Sequence, residues 1–394
     1  MARTVCLIAM SFLLLACDAN TARTDADYVI QNVRLFDGED VYANATIVID
    51  DGVVQTIYIG ELTDFAGDNV IDGAGSTVVP GLINAHVHLK NFEQAEEAVR
   101  SGVLTLINMA GRDFPFQDGI RERGQAEPGL PYFLTAGNMV TVTDGHGTQY
   151  VQYETVDDAA DIPGFVDRRV EEGSDFIKLT IERGDPWITR PTLSDDMVEA
   201  TIEAAHGHSF IAVAHISERE DAMNAVRMGI DGLVHFWVKD FASNFAEPDA
   251  SGITDSELDL LRESATFIIP TITVWDKTNG QWQTIDMAAM KAEIGRVYEA
   301  GVPILAGTDP PGFGINFGSD LYTELLFLTE CGLSDIDALR AATSNISIAF
   351  GLGNKGFVRE GQSADLLLIS GDSTEDIRTV ENIAGVWKHG VRIE

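Results

Sequence analysis

Cysteine is scarce in this chain: three in 394 residues, too few for a disulfide framework. Basic residues are scarce as well. Lys and Arg total 26 against 62 Asp and Glu, a net charge of −36. A surface of that sign repels phosphate backbones, which argues against nucleic-acid binding and against docking on anionic lipid. No apolar run is long enough to span a bilayer, and no internal repeat or low-complexity tract stands out. Hydrophobic residues at 45% and charged residues at 22% are ordinary for a globular protein and exclude disorder, coiled coil and collagen. The length leaves room for two or three domains, or for one large barrel with a satellite.

The first 17 residues have one positive charge, Arg3, then an apolar run from Val5 to Ala16, then Cys17. That is the pattern of a secretory signal. Its end, Leu14-Leu15-Ala16-Cys17, resembles the bacterial lipoprotein cleavage box, in which the cysteine becomes the first residue and carries the lipid. The resemblance implies a lipoprotein of the bacterial cell envelope, periplasmic or extracellular, that meets the membrane only through Cys17. The alternative is an ordinary signal cut near Ala19 or Ala22. With Cys6 removed and Cys17 lipidated, Cys331 is the remaining thiol, read as a buried residue of a helical pattern.

Residues 18–26 read as a polar tether. Residues 27–80 read as short strands between Asp/Gly turns, including "YVIQNVRLF", "ATIVIDDG", "VVQTIYIG" and "STVVPG". From Gly81 the rhythm changes to apolar strands separated by amphipathic helices. The expected strands are "LINAHVHL", "LTLINMA", "YFLTAG", "DFIKLT", "FIAVAHI", "GLVHF", "ATFIIPTI" and "PILAGTD". Eight such units predict an α/β chain with a (β/α)8 TIM barrel over residues 81–352. Residues 353–394 return to strands ("ADLLLIS", "GVWKHG", "VRIE") and are expected to join residues 27–80 in a flanking β-sandwich domain.

Barrel enzymes place their chemistry at the C-terminal ends of the strands. Six residues fall there. His86 and His88 have the i, i+2 spacing that puts two side chains on one face of a strand, within reach of one metal. His215 and His235 end strands five and six, and Asp309 ends strand eight, which adjoins strand one when the barrel closes. Lys178 interrupts the apolar strand four, where burial disfavours its charged form. A neutral amine near divalent metals can take up CO2 to give a bridging carbamate. An H-x-H pair by itself is weak, and the chain has a second one, His206 and His208. That pair sits at a helix end on the opposite face and reads as structural, as does His389 in a tail turn.

The stretches "VVPGLINAHVHL", "FIKLT", "AHIS", "LVHF", "AGTDP" and "ALRAATSNISIAFGLGNKGFVREGQSADLLLI" resemble the amidohydrolase superfamily, most closely its imidazolonepropionase-like and Xaa-Pro dipeptidase-like (prolidase-type) branch. The resemblance implies a zinc-dependent hydrolase acting on carbon–nitrogen bonds with two divalent metal ions. Carried over, His86, His88 and Asp309 would bind the buried ion, His215 and His235 the exposed one, and carboxylated Lys178 would bridge them. Asp309 would be the general base and acid for a metal-activated hydroxide.

Substrate residues are less legible. His146, in the loop "TDGHG" after strand three, could hold a substrate carboxylate or the oxyanion, or be a surface loop histidine. Arg183 could anchor a carboxylate, or be an exposed loop arginine. Tyr150 and Trp237 could wall an apolar pocket, or merely pack. The expected substrate is a small-molecule amide, a dipeptide or an N-acyl amino acid. The alternatives are a hydrolase of cyclic amides, lactones or esters, and a non-catalytic binding lipoprotein on the same fold. Oligomeric state is left open.

Overall fold

The computed structural model describes residues 22–23, 25–60, 65–185, 188–242, 252–281 and 284–393. The signal segment with Cys17 and most of the tether lie outside the described residues.

Two-residue turns and alternating apolar residues build the first layer. Asp51 and Gly52 both have positive φ (51° and 80°), the type I′ geometry that joins twisted antiparallel strands, here Val41–Asp50 and Val53–Ile59. These strands belong to an eight-stranded sheet that also holds Tyr28–Phe36, Val70–Asp72 and Ser76–Pro80. The other three strands come from the tail: Leu366–Ser370, Ile383–Lys388 and Val391–Ile393. The seam is antiparallel, with Leu366 opposite Pro80 and Ser370 opposite Ser76. Ile30, Ile47, Val54, Val78, Leu366, Leu368 and Trp387 share one buried cluster. Tyr28 meets Trp387 edge-on at 5.8 Å although two strands separate theirs in the sheet, so the sheet curls around this core.

The barrel strands are buried on both faces, which is why they read as unbroken apolar runs. Leu82–Val87, Val103–Asn108 and Tyr132–Thr135 form one parallel set. Ile177–Thr180, Ala212–His215, Gly232–Val234 and Phe267–Ile269 form another. Val140 joins the sets by a parallel bridge to Leu179. The eighth segment is bridged through Ile304 to Ile268, and its Ala306 carbonyl accepts from Ala85 N at 2.9 Å, which completes the ring. It lacks regular strand geometry around Gly307, where a Cβ would lie 2.9 Å from the His86 nitrogen. Only glycine allows that approach.

Helices fill the connections, and their starts follow capping chemistry. Thr254 and Glu257 form a reciprocal capping box at Asp255–Ser264, and Ser194 caps Asp195–Gly207. Two expectations need correction. "ATFIIPTI" is a strand only to Ile269; Thr271 turns the chain at φ 49° and Ile272–Thr278 is a helix. "DIDALRAATSNISIAFG", which reads as one final helix, divides into Asp335–Ala341 and Ser344–Ala349 at Thr343. Cys331 is buried after the helix Asp320–Glu330, and burial pushes its thiol up to about 12.

Candidate active site

The strand ends converge as the barrel geometry requires. His86 Nε2 lies 3.2 Å from His88 Nε2 and 3.2 Å from Asp309 Oδ1, and His88 Nε2 lies 3.1 Å from the same oxygen. The backbone N–H of Asp309 donates to the His86 carbonyl at 2.9 Å, which locks strand eight against strand one where both ligand-type side chains emerge. His235, in a left-handed conformation at φ 67°, has its ring 5.0 Å from that of His86 and 4.6 Å from that of His215. Its Nδ1 shares a 2.8 Å hydrogen bond with Thr271 Oγ1, which leaves Nε2 to the cluster. His86, His235 and Asp309 offer ligand atoms within 4.8 Å of one another, a group that can hold a metal ion.

Lys178 stands in register with Val213 of strand five, 4% exposed, and its Nζ has no hydrogen-bond partner among the described residues. Burial lowers the amine to about 7, against the pull of Asp309. Burial also lowers His86 to about 4 and takes His215 and His235 well below the ordinary imidazole value. Burial by itself would raise Asp309, but the adjacent His86 and His88 hold it well below the usual carboxylate range. At neutral pH His86, His215 and His235 are therefore neutral imidazoles, Asp309 is an ionised carboxylate, and Lys178 is an amine that gives up its proton readily. Imidazole nitrogens and a carboxylate oxygen are the donor set of a divalent metal such as zinc, and an orphaned buried amine fits only if something neutralises or binds it.

Beyond this centre, the His146 ring lies 4.1 Å from that of His215, and burial lowers it to about 4. Tyr150 is 73% exposed with its ring 6.2 Å from that of His146. The structure adds Glu182, which the sequence reading passed over. Its Oε2 is 3.7 Å from His215 Nε2 and accepts from Ser217, while its Oε1 takes Lys239 Nζ at 2.5 Å. The signal was present: Lys178, Thr180 and Glu182 alternate, so all three point to one face. Trp275, on the helix Ile272–Thr278, lies 5.7 Å from the His235 ring.

Two expected substrate residues are elsewhere. Arg183 is not a free anchor, because its guanidinium grips Asp221 at 2.7 and 3.1 Å. Trp237 is fully buried in the apolar core, stacked on Phe236 at 3.9 Å, with its indole N–H donated to Glu293. The second histidine pair is spent on the far side, His206 on Asp231 at 2.8 Å and His208 on Asp167 at 2.7 Å. His389 stands beside Tyr132, at 3.4 Å from its hydroxyl.

A closed parallel barrel with a buried His/Asp cluster at the C-terminal ends of its strands defines a barrel hydrolase able to hold a divalent metal. Residues 77–393 match the Amidohydrolase family, and the chain belongs to that family. It is a hydrolase acting on C–N bonds. The enamidase of Eubacterium barkeri is 26% identical over 349 residues, 82% of this chain and 81% of that protein. An uncharacterized protein of Mycobacterium tuberculosis (strain ATCC 25618 / H37Rv) is 28% identical over 307 residues, 70% of this chain and 74% of its own. Among solved structures, a Xaa-Pro dipeptidase with bound methionine in its active site superposes with a TM-score of 0.75 at 22% identity. That match covers 93% of this chain and 99% of the dipeptidase, and it establishes the fold.

Proposed function

We propose that the chain is a metal-dependent amidase or dipeptidase that cleaves dipeptides or N-acyl amino acids bearing a free carboxylate. The observation that carries this reading is the buried, partnerless Lys178 amine beside histidines that burial keeps neutral and an ionised Asp309. His86, His88 and Asp309 would hold one divalent ion, His215 and His235 a second, with Lys178 bridging as its carbamate; zinc suits this donor set. When bound, such ions supply Lewis-acid polarisation and lower the pKa of water.

The chain's own residues do the rest. Asp309, ionised at neutral pH, takes the proton of the attacking water and returns it to the leaving nitrogen as the C–N bond breaks. Thr271 fixes the tautomer and orientation of His235, and Glu182 faces the outer nitrogen of His215. No serine or cysteine nucleophile is called for. The dipeptidase likeness and the enamidase relative both support a C–N substrate.

The test is a release-of-amine screen with protein loaded with Zn2+ and bicarbonate, over dipeptides and N-acyl amino acids varied at both positions. Turnover of a set sharing one C-terminal residue is the expected result. Silence across the panel from metal-replete protein, with hydrolysis of lactams, lactones or esters instead, would overturn the free-carboxylate reading.

A further inference from the structure

Two arginines flank the short hairpin that follows strand four, and they are used differently. Gly184–Asp185 pairs antiparallel with Ile188–Thr189, and the Arg190 N–H donates to the Arg183 carbonyl at 2.9 Å. Residue 190 is thereby held level with residue 183. That position is one residue from Glu182, whose carboxylate is 3.7 Å from His215. Arg183 turns away to Asp221. Arg190 is half-buried, and among the described residues its guanidinium has neither an ion pair nor a side-chain hydrogen bond. In a chain with 62 acidic residues, an arginine left without one is a cation held for something else. His146, whose ring lies 4.1 Å from that of His215, is near enough to feel the charge of Arg190.

Exposed apolar side chains stand at the same mouth. Tyr150, Ile188 and Phe313 are large apolar side chains left 73%, 52% and 43% exposed. They stand on the loops after strands three, four and eight, at the mouth that holds the histidines. Apolar side chains exposed around a concave polar centre mark a binding surface rather than chance.

Building on the amide-hydrolase reading, we propose that Arg190 receives the substrate's carboxylate. With this apolar rim it restricts the site to amides whose carboxylate is borne next to an apolar side chain. Guanidinium suits the role because its planar fork accepts a carboxylate through two parallel N–H···O bonds.

The experiment compares N-acetylphenylalanine with its C-terminal carboxamide, in calorimetric binding and in turnover, on metal-loaded wild type, Arg190→Ala, Arg190→Gln and Arg183→Ala. Wild type is expected to favour the acid by at least about 10-fold, the scale of one charge-assisted pair. Arg190→Ala and Arg190→Gln should abolish that preference through KM rather than kcat and leave carboxamide binding within about 2-fold, whereas Arg183→Ala keeps it. Absence of preference in wild type, or its survival in both Arg190 variants, overturns the proposal. Acid-selective binding that needs Arg190 but comes with no amide turnover would sink the amidase reading and leave Arg190 standing. Turnover of acid and carboxamide alike would do the reverse.

Discussion

The barrel carries a cluster of buried Lys, His, Asp and polar side chains at each end, and the two are built to opposite rules. At the bottom, Tyr132 donates to Asp365 at 2.9 Å, and Lys355 pairs with the same carboxylate at 3.0 Å. The His389 N–H reaches that carboxylate at 2.8 Å, and Lys388 gives its amine to the Gly124 carbonyl at 2.5 Å. Both lysines lie over the Tyr132 ring, at 3.4 and 4.1 Å. Here strand three is fastened to the tail of the sheet, and each charge is spent. At the mouth, Lys178 Nζ and His86 Nδ1 are buried with no partner among the described residues. A buried polar group without a partner costs about 1–3 kcal/mol, so the mouth is a place where stability has been given up. Unequal satisfaction of buried polar groups separates a fastening from a reaction centre.

The sharpest way to break that comparison is to remove mouth residues. His86→Ala and Asp309→Ala should each lower kcat by about 10^4-fold, the scale for residues that act as a unit. A near wild-type rate for either in metal-replete buffer would discredit the site. Lys178→Ala should lose metal and be partly rescued by short carboxylates such as acetate; loss without rescue argues against a carbamate bridge. Lys178→Met makes the contrast explicit. It should abolish turnover yet raise the Tm of metal-free protein, because an apolar side chain replaces an unsatisfied amine.

What could be read from the chain follows the same division. The six rim residues were legible because a parallel barrel sends every strand's C-terminal end to one face, so His86, Lys178, His215, His235 and Asp309 needed only the strand count. The strands that build the curled sheet were legible because alternation and the Asp/Gly turns between them are local. Contacts between distant residues were not. Arg183 looked free until the fold brought Asp221, 38 positions later, against it. Trp237 looked able to wall a pocket and Trp275 drew no notice, and only packing shows that the first faces Glu293 and the second His235. The run "ATFIIPTI" is rich in β-branched residues and reads as strand to its end. A helix starts at Ile272 instead, where Glu324 collects the N–H groups of Ile272 and Thr273 at 2.9 and 2.8 Å.

Glu324 lies between the two regimes, for it is fully satisfied yet still perturbed. Burial raises its carboxyl from 4.5 to about 7, against its hydrogen bonds to Thr273 and Ile272. The folded form thus binds the proton more tightly than the unfolded form. Its stabilising contribution is full below about 4.5 and is lost as pH rises through about 7. Glu324→Gln cannot ionise. The difference in Tm between wild type and Glu324→Gln, followed from pH 5 to pH 8, should therefore move in favour of the variant by several degrees. A pH-independent difference would mean that the three donors hold the carboxylate ionised throughout, as at a fully satisfied site.

The smallest effect is expected at the bottom cluster. Tyr132→Phe removes one donor from Asp365, which keeps Lys355, Ser363 and the His389 N–H. The cost should be about 1 kcal/mol, a few degrees or less of Tm in a chain of this size, with kcat and KM unchanged within about 2-fold. The variant keeps the ring under both lysines, so it isolates the hydrogen bond from the packing. Were Tyr132→Phe instead to lower kcat while leaving Tm alone, the bottom cluster would be coupled to the mouth along strand three, which runs between them. The reading of one end as fastening and the other as chemistry would then fail at the end where it predicts silence.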